Sequence, residues 1–223
     1  MAQARPKGTL QPKPQDRILD AALSVFRRHG FRRSSIEQAA EAAGLTRQAL
    51  YHHFSSKEAL FRAVLERLYA NALAAEIAAA RAAEEKGLGL ADIVTAEIAA
   101  RLRPLIASFD GSPHIEELFS EHLTQARDLY QAYSARYAEE IAATIARVLR
   151  KQKLALPKGV TARELAHLVE MAVHGTKSAY PSMLPADAFL KQLAIMLRML
   201  ITGAIAVPAR QQARTPRRKT ETR

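Results

Sequence analysis

The 223-residue sequence predicts an all-α fold of about nine helices, with a small N-terminal three-helix domain and a larger C-terminal helical domain. Two observations lead to this prediction. Apolar residues recur three and four positions apart along most of the chain, which is the spacing of one face of a helix. Helix-capping sequences, glycines and prolines interrupt this pattern at intervals that separate one helix from the next.

The N-terminal domain is predicted to begin with an amphipathic helix from Ile18 to Phe31, which Gly30 closes. Ser34 is predicted to cap the second helix, with Glu37 three residues later completing a capping box. Gly44 ends that helix because a left-handed backbone conformation is cheap only for glycine. Thr46 is predicted to cap a third helix that extends to Phe54. A helix, a tight glycine turn and a second short helix make a helix-turn-helix.

The third helix is predicted to expose polar side chains that suit nucleic acid. Its apolar residues Ala49, Leu50 and Phe54 can face inward, which leaves Arg47, Gln48, Tyr51 and His52 outward. Arginine suits the O6 and N7 atoms of guanine, and glutamine suits N6 and N7 of adenine. The plain alternative for each residue is a solvated helix surface. Ser55 and Glu58 form another predicted capping box at the start of the next helix.

The stretch RILDAALSVFRRHGF…SSIEQAAEAAGLTRQALYHHFSSKEALFRAVLE resembles the N-terminal domain of the TetR/AcrR family of bacterial transcriptional regulators. One departure is Ala39, where that family more often has a larger aliphatic residue. The resemblance implies phosphate contacts by Ser35, Tyr51 and Lys57, and base reading by Arg47 and Gln48, with His52 as a further candidate. The predicted DNA-contacting set is Ser35, Thr46, Arg47, Gln48, Tyr51, His52 and Lys57.

The charge distribution supports DNA binding at one end of the chain. The net charge is +11, of which residues 1–15 carry +3, residues 16–67 carry +3 and residues 208–223 carry +5, so residues 68–207 are neutral in sum. We therefore expect a flexible basic arm at 1–15, the helix-turn-helix domain at 16–62, a helical ligand-binding and dimerisation domain at 63–207, and a disordered basic tail at 208–223. Neither a signal peptide nor an apolar run of membrane-spanning length is apparent, and cysteine is absent, so a cytoplasmic protein without membrane contact is expected.

The C-terminal domain is predicted to start with a long helix from Lys57 to Lys86, followed by a helix over 91–102 that breaks near Pro104. A single helix is expected from Pro113 to Lys151, then one from Ala162 to Tyr180 with a capping box of Thr161 and Glu164. The last helix, from Pro185 to Gly203, is apolar on nearly every face, so we expect a second subunit to cover it.

The family resemblance implies that the last two helices of each subunit pair in a four-helix bundle across a two-fold axis. A two-fold dimer would present two recognition helices to a pseudo-palindromic double-stranded operator. The alternative is a central core helix in a monomer. The predicted interface residues are Leu165, Val169, Ala172, Val173, Leu193, Met196, Leu197 and Leu200.

The same resemblance implies an effector pocket between the long middle helices. Aromatic rings with scattered hydroxyls and imidazoles suit a neutral or weakly polar small molecule, and no cofactor is expected. The alternative is ordinary core packing of tyrosines. The candidate lining is Phe119, His122, Tyr130, Tyr133 and Tyr137, with His167, His174 and Tyr180 opposite.

Two other functions remain open as alternatives to a ligand-responsive repressor. A non-specific architectural DNA-binding protein would explain the basic tails. A metal-sensing repressor is a further alternative, because His167, Glu170 and His174 share a helix face and could bind a metal with His122 or Glu121. An enzyme is not expected, since no segment offers an activated nucleophile or a convergent acid–base pair.

Overall fold

The computed structural model describes residues 14–205, and the regular secondary structure in this range is entirely helical, without strands. It contains nine α-helices and one short 3₁₀ turn at Pro181–Met183, which confirms the predicted all-α fold. Most of the predicted basic arm and the whole predicted tail lie outside the described residues. The helices are α1 (Pro14–Arg33), α2 (Ile36–Ala42), α3 (Arg47–His53), α4 (Lys57–Glu85), α5 (Leu90–Phe109), α6 (Ile115–Gln125), α7 (Arg127–Gln152), α8 (Ala162–Ala179) and α9 (Ala186–Ile205).

The described chain forms two compact units. The N-terminal unit comprises residues 14–72 and 104–133, and the C-terminal unit comprises residues 73–103 and 134–205. Helices α4, α5 and α7 each contribute to both. The N-terminal unit therefore contains the helix-turn-helix together with α6, a segment that was predicted to lie in the second domain.

Three aromatic rings form the centre of the N-terminal unit. Phe26, Phe31 and Phe61 are all at most 5% exposed, and their ring centroids lie 4.8 to 6.0 Å apart. The rings meet edge-on or tilted, which are the arrangements that aromatic quadrupoles favour. They join the end of α1 to the start of α4, so the two helices that flank the helix-turn-helix share one core.

The start of α2 corrects the predicted cap by one residue. The N-cap is Ser35, whose Oγ accepts from Gln38 N at 3.3 Å, while Gln38 Oε1 accepts from Ser35 N at 2.9 Å. Ser34 is buried and donates its hydroxyl to Phe31 O at 2.8 Å. A similar shift occurs at α4, where Ser56 Oγ accepts from Ala59 N. Each site has two adjacent serines, and the end of the preceding element decides which one is used.

Two predicted helix boundaries are wrong. Helix α5 continues through Pro104 to Phe109, because buried Leu102 and Ile106 on either side of the proline pack into the core. The predicted helix from Pro113 to Lys151 instead breaks at Ala126, which has φ −145° and ψ 34°.

A side chain from α4 accounts for the break between α6 and α7. Arg62 Nη1 donates to Gln125 O at 2.7 Å, and its guanidinium binds the Asp128 carboxylate at 2.7 and 2.8 Å. The carbonyl of Gln125 is thus taken by an arginine rather than by the next helical turn. The Arg62 guanidinium also lowers the pKa of Asp128 to about 2.

The structure also corrects the expectation that no apolar segment reaches membrane-spanning length. Helix α9 has 20 residues and a mean hydropathy of 1.5, which would suffice by length and composition alone. Five of its residues are nevertheless buried against the rest of the C-terminal unit, namely Phe189, Leu190, Leu193, Leu197 and Ile201. Core helices of globular proteins meet the same criteria, so α9 is weak support for a membrane span.

Gly30→Ala is expected to destabilise the N-terminal unit more than Gly44→Ala. Both glycines have positive φ (76° and 69°), and alanine in a left-handed conformation costs about 1–2 kcal/mol. Gly30 also has ψ 169°, a backbone region that essentially only glycine adopts, so the backbone cost of alanine is larger there. A Cβ at Gly30 would also collide with the Glu117 carboxylate, whereas a Cβ at Gly44 would meet no atom within 4 Å. Denaturant unfolding of the two variants measures the difference. Equal losses of stability in the two variants would contradict this ranking.

Candidate nucleic-acid interface and effector site

The helix-turn-helix is built from local capping and one buried anchor. Thr46 Oγ1 accepts from Ala49 N at 3.1 Å, which confirms Thr46 as the N-cap of α3. Gly44 makes the predicted left-handed turn between α2 and α3. Leu50 is completely buried and fixes one face of α3 in the N-terminal unit. The opposite face of α3 is therefore determined by helical geometry.

That opposite face carries the predicted base-reading residues in exposed positions. Arg47, Gln48 and His52 are exposed, and Tyr51 is 41% exposed. Arg47 Nε lies 2.7 Å from Glu37 Oε1 on α2, and its guanidinium carbon lies 5.4 Å from the Tyr51 ring centroid. The predicted base-reading arginine is thus oriented by a carboxylate and an aromatic ring before any DNA is present.

Lys57, a predicted phosphate contact, has a different role within the chain. Its Nζ donates to the carbonyls of Phe31 at 2.9 Å, Ser34 at 3.1 Å and Arg32 at 3.3 Å, and it lies 4.6 Å from the Phe31 ring centroid. An ammonium has three donors, so these carbonyls can occupy all of them. A phosphate would have to compete with the carbonyls at the end of α1.

Four of the predicted effector-lining residues form part of one aromatic row in the N-terminal unit. Successive ring centroids lie 5.5 to 6.4 Å apart. The row consists of Phe109, Phe119, His122, Tyr130, Tyr69 and Tyr133. Tyr69 and Phe109 were not among the predicted residues. Tyr69 follows Leu65 and precedes Ala72 on the buried stripe of α4, and this spacing could have identified it.

The other four predicted lining residues belong to the C-terminal unit, and two of them do not face its interior. His167 and His174 are exposed on α8, and His174 Nδ1 lies 2.8 Å from the backbone oxygen of Glu170. This corrects their assignment, because α8 turns the face of Val169 inward instead. Tyr137 is buried, and Tyr180 packs against Phe189 with ring centroids 6.0 Å apart.

Between residues 14 and 205, no group of three or more histidine, aspartate or glutamate side chains is arranged to hold a metal ion. His167 and His174 face outward, whereas Glu170 points towards Arg101 at 2.7 Å. The three candidate ligands therefore do not converge. The metal-sensing alternative gains no support from the structure.

The interior of the C-terminal unit instead contains a group of charged side chains, which we call the buried charged cluster: Glu76, Glu97, Arg101 and Glu170. Glu76 and Glu97 are 0% exposed and Arg101 is 2% exposed. Arg101 Nη1 lies 2.7 Å from Glu170 Oε1 and 3.6 Å from Glu76 Oε1, and its guanidinium carbon lies 4.7 Å from the Tyr137 ring centroid. Helices α4, α5, α7 and α8 all contribute to this region.

Hydrogen bonding in the cluster is incomplete. Thr144 Oγ1 donates to Glu97 Oε1 at 3.0 Å. Within the described part of the chain, both oxygens of Glu76 and Oε2 of Glu97 accept no hydrogen bond. The close Arg101–Glu170 pair is also not aligned as a hydrogen bond, although its charges are in contact. Native proteins rarely leave buried polar atoms in this state.

Burial dominates the ionisation of the two innermost acids. It raises the pKa of Glu76 to about 8, against a smaller lowering by Arg101, while Glu170 and Glu140 raise it further. It raises the pKa of Glu97 to about 9, with Glu76 adding to the rise and Thr144, Arg101 and Arg147 opposing it. Without another positive partner, these carboxyls therefore hold protons at neutral pH.

The cluster was not predicted from the sequence, although the helical spacing contained a signal for it. Glu76 lies three residues after Leu73 and four before Ala80 on the buried stripe of α4, and Glu97 and Arg101 interrupt the stripe of α5 in the same way. A charged residue at a core position of an amphipathic helix indicates a buried, paired or functional group. The net charge of zero over residues 68–207 gives no sign of such a cluster, because buried opposite charges cancel in the sum.

The surface of α8 and α9 corrects the predicted dimer contacts. Five of the eight predicted residues are buried within the chain itself, where α8 and α9 pack together: Leu165, Val169, Val173, Leu193 and Leu197. Both helices bury one face in their own unit, and a buried side chain offers no surface to a partner. The large exposed apolar residues on the two helices are Leu168, Met171, Ile195, Met196 and Met199.

The comparisons with known proteins agree with this architecture. Residues 18–64 match the family described as bacterial regulatory proteins, tetR family. The repressor ComR of Escherichia coli is 41% identical over 90 residues, which are 39% of this chain and 42% of ComR. The chain covers less than half of the length of the curated relatives that it matches.

Solved structures show the same fold over most of the chain. A TetR-family regulator structure from Mesorhizobium loti has a TM-score of 0.66 at 16% identity and covers 88% of this chain and 98% of its own. SmeT, the repressor of a Stenotrophomonas maltophilia multidrug efflux pump, has a TM-score of 0.58 at 19% identity and covers 86% and 90%. At these identities the likeness shows the fold alone.

The fold and the exposed face of α3 define a helix-turn-helix protein with a helical second unit. Its residues 18–64 belong to the tetR family of bacterial regulatory proteins, and most of the chain shares the fold of TetR-family structures.

Stability is expected to fall as pH rises from about 5 to 8, because the folded state holds protons on Glu76 and Glu97 that the unfolded state releases near pH 4.5. Each such group lowers the free energy of unfolding by about 1.4 kcal/mol per pH unit in this window. Glu76→Gln removes one of the two titrating groups, so the free energy of unfolding of this variant should rise relative to that of the wild type as pH rises.

Urea unfolding at pH 5 and pH 8 measures this effect. Glu85→Gln is a matched control, because Glu85 is exposed on the same helix. A difference in free energy of unfolding between Glu76→Gln and the wild type that is the same at both pH values would contradict the expected protonation of Glu76.

Proposed function

We propose that this protein is a transcriptional repressor that binds a pseudo-palindromic operator as a homodimer and is released by a small-molecule effector. The observation that carries the proposal is the exposed face of α3, where Arg47, Gln48, Tyr51 and His52 project from a helix-turn-helix anchored by Leu50. Arginine and glutamine on a recognition helix can each make two hydrogen bonds to one base edge. A cytoplasmic location belongs to the same proposal.

Backbone positioning belongs to a second group of residues. Ser35 and Thr46 have hydroxyls at the N-terminal ends of α2 and α3, and Tyr51 presents an exposed phenol. Such groups contact phosphates and set the register of the helix on the duplex. Lys57 contributes by holding the end of α1, and a direct phosphate contact would require it to leave at least one carbonyl.

The apolar surface of α8 and α9 supports the dimer. Met199 is 73% exposed, Met171 56% and Leu168 42%, and these side chains lie on the two helices whose opposite faces are buried in the C-terminal unit. A cluster of exposed apolar side chains marks an interaction surface. A second copy of the same two helices would cover it with an identical surface, as a two-fold dimer requires.

The gel shift that tests DNA binding uses the full chain and the DNA upstream of its own gene. A repressor should retain binding in excess non-specific competitor. If the competitor reduced binding equally for every DNA sequence, the result would instead favour the architectural alternative, in which phosphate contacts alone supply the affinity.

Arg47→Ala is expected to cost about 1–3 kcal/mol of operator affinity and to relax specificity at one base pair, because it removes a bidentate base contact. Arg81→Ala is the control, since Arg81 is exposed on α4 in the C-terminal unit. Titration of matched and single-mismatch operators measures both effects. Unchanged discrimination between the operators would remove Arg47 from base reading.

Met199→Glu is expected to weaken the dimer without unfolding the subunit, since the side chain is mostly exposed in the single chain. Lys191→Glu is the control. Lys191 is exposed on the side of α9 that also carries Arg198, so a glutamate there should leave the dimer intact. Sedimentation at several protein concentrations distinguishes the two variants. A dimer equally stable in both would place the interface elsewhere.

A further inference from the structure

We infer that the buried charged cluster in the C-terminal unit binds an organic cation through the carboxylates of Glu76, Glu97 and Glu170. The inference rests on the proposed ligand-responsive function and names the chemical class of the effector. It replaces the expectation of an uncharged effector, which relied on the neutral sum of charges over residues 68–207.

The cluster has more acceptors than donors. Glu76 and Glu170 lie 3.6 and 2.7 Å from the Arg101 guanidinium. Arg101 and Arg147 act on Glu97 only as nearby charges, and among the described residues only Thr144 donates a hydrogen bond to it. Four carboxylate oxygens in the cluster accept no hydrogen bond from the described residues, two of them on Glu76. The partner that would satisfy them must therefore donate hydrogen bonds and carry positive charge.

The unpartnered carboxyls of the cluster are energetically costly. A buried polar group without a partner costs about 1–3 kcal/mol, and an ionised one costs more. Leucine or alanine at position 76 would continue the apolar stripe of α4 and avoid this cost. A carboxyl kept at a position that is 0% exposed is explained if a ligand compensates for it.

The spacing of the carboxyls favours a polyatomic cation over a metal ion. No three acidic or histidine side chains in the described range converge on one point that could hold a metal. Each acid instead comes from a different position around Arg101: Glu76 from α4, Glu97 from α5 and Glu170 from α8. An ammonium or amidinium group with several N–H donors can reach separate carboxylates that no single metal ion could bind.

The surroundings suit the organic part of such a molecule. The Tyr137 ring already lies 4.7 Å from one cation, the guanidinium of Arg101, and a tyrosine face attracts positive charge. Glu170 is only partly buried on α8, so the cluster approaches the surface on that side. Burial and the nearby Arg101 lower the pKa of Lys177 to about 8, which weakens this lysine as a permanent partner of the acids.

The test uses the full-length protein, without DNA, and three probes of similar size: benzylamine, benzyl alcohol and benzoate. A diamine, 1,4-diaminobutane, extends the cationic set. Calorimetric titration at pH 7.5 measures affinity for wild type, Glu76→Gln and Glu97→Gln, with Glu85→Gln as the exposed control on α4. The two buried substitutions keep the side-chain shape, and the second keeps the test valid if the first does not fold.

An amine is expected to bind the wild type and the control variant. Benzyl alcohol and benzoate should bind the wild type at least about tenfold more weakly than the amine. Either buried substitution should lower amine affinity about tenfold or more. Equal binding of amine and alcohol, an unchanged amine affinity in both buried variants, or no binding of either amine would each overturn the inference. A gel shift with the same amine then separates the two proposals. Amine binding without release from operator DNA would leave the cation site standing and remove the effector role.

Discussion

The end of α1 is the interaction on which the DNA-binding unit depends. Three backbone carbonyls there, of Phe31, Arg32 and Ser34, point at the ammonium of Lys57. Gly30 interrupts the helical backbone of α1 immediately before these residues, with φ 76°. Because Lys57 begins α4 and Ser34 precedes α2, one cation ties three helices together. The orientation of α3, and with it Arg47, follows from this joint and from the burial of Leu50.

The same joint is continued by α6 within the N-terminal unit. Glu117 accepts a hydrogen bond from Arg32 N at 2.7 Å, and Glu121 binds Arg32 Nε at 2.8 Å. Ser112 donates to Arg27 O at 2.7 Å, just before α6. The backbone at the end of α1 therefore has partners from two later parts of the chain. A displacement of α6 would act directly on the helix that precedes the helix-turn-helix, without passing through the base-reading residues.

A structural feature could be predicted from the sequence when the residues that determine it lie close together along the chain. Gly44, Thr46 and the Thr161–Glu164 capping box act within four residues, and all three were predicted. The family assignment also followed from local motifs. The break at Ala126 depends on Arg62, more than sixty residues earlier, so no local pattern could predict it. The choice between adjacent serines at α2 likewise depended on how α1 ends.

The two larger errors share one physical cause. Helical periodicity identifies which side chains share a face, but it does not say whether that face meets the same chain or another one. Val169 and Leu197 were predicted to contact a second subunit, yet both are buried within the chain itself. Net charge has the same weakness, because a sum of zero over residues 68–207 describes a molecule without charge and a molecule with buried opposite charges equally well.

The position of a charged residue on its helix shows whether the charge is exposed or buried, which net charge does not show. Most acidic residues of α4 and α5 lie on solvent faces, where ionisation costs little and their number informs only about solubility. Glu76 and Glu97 lie among Leu73, Val94 and Ile98, where each must be neutral or compensated. A charged residue at a core position thus has more functional meaning than a larger number of charged residues outside. In this chain the DNA-binding end shows its charges on the surface, and the C-terminal unit keeps its most informative ones inside.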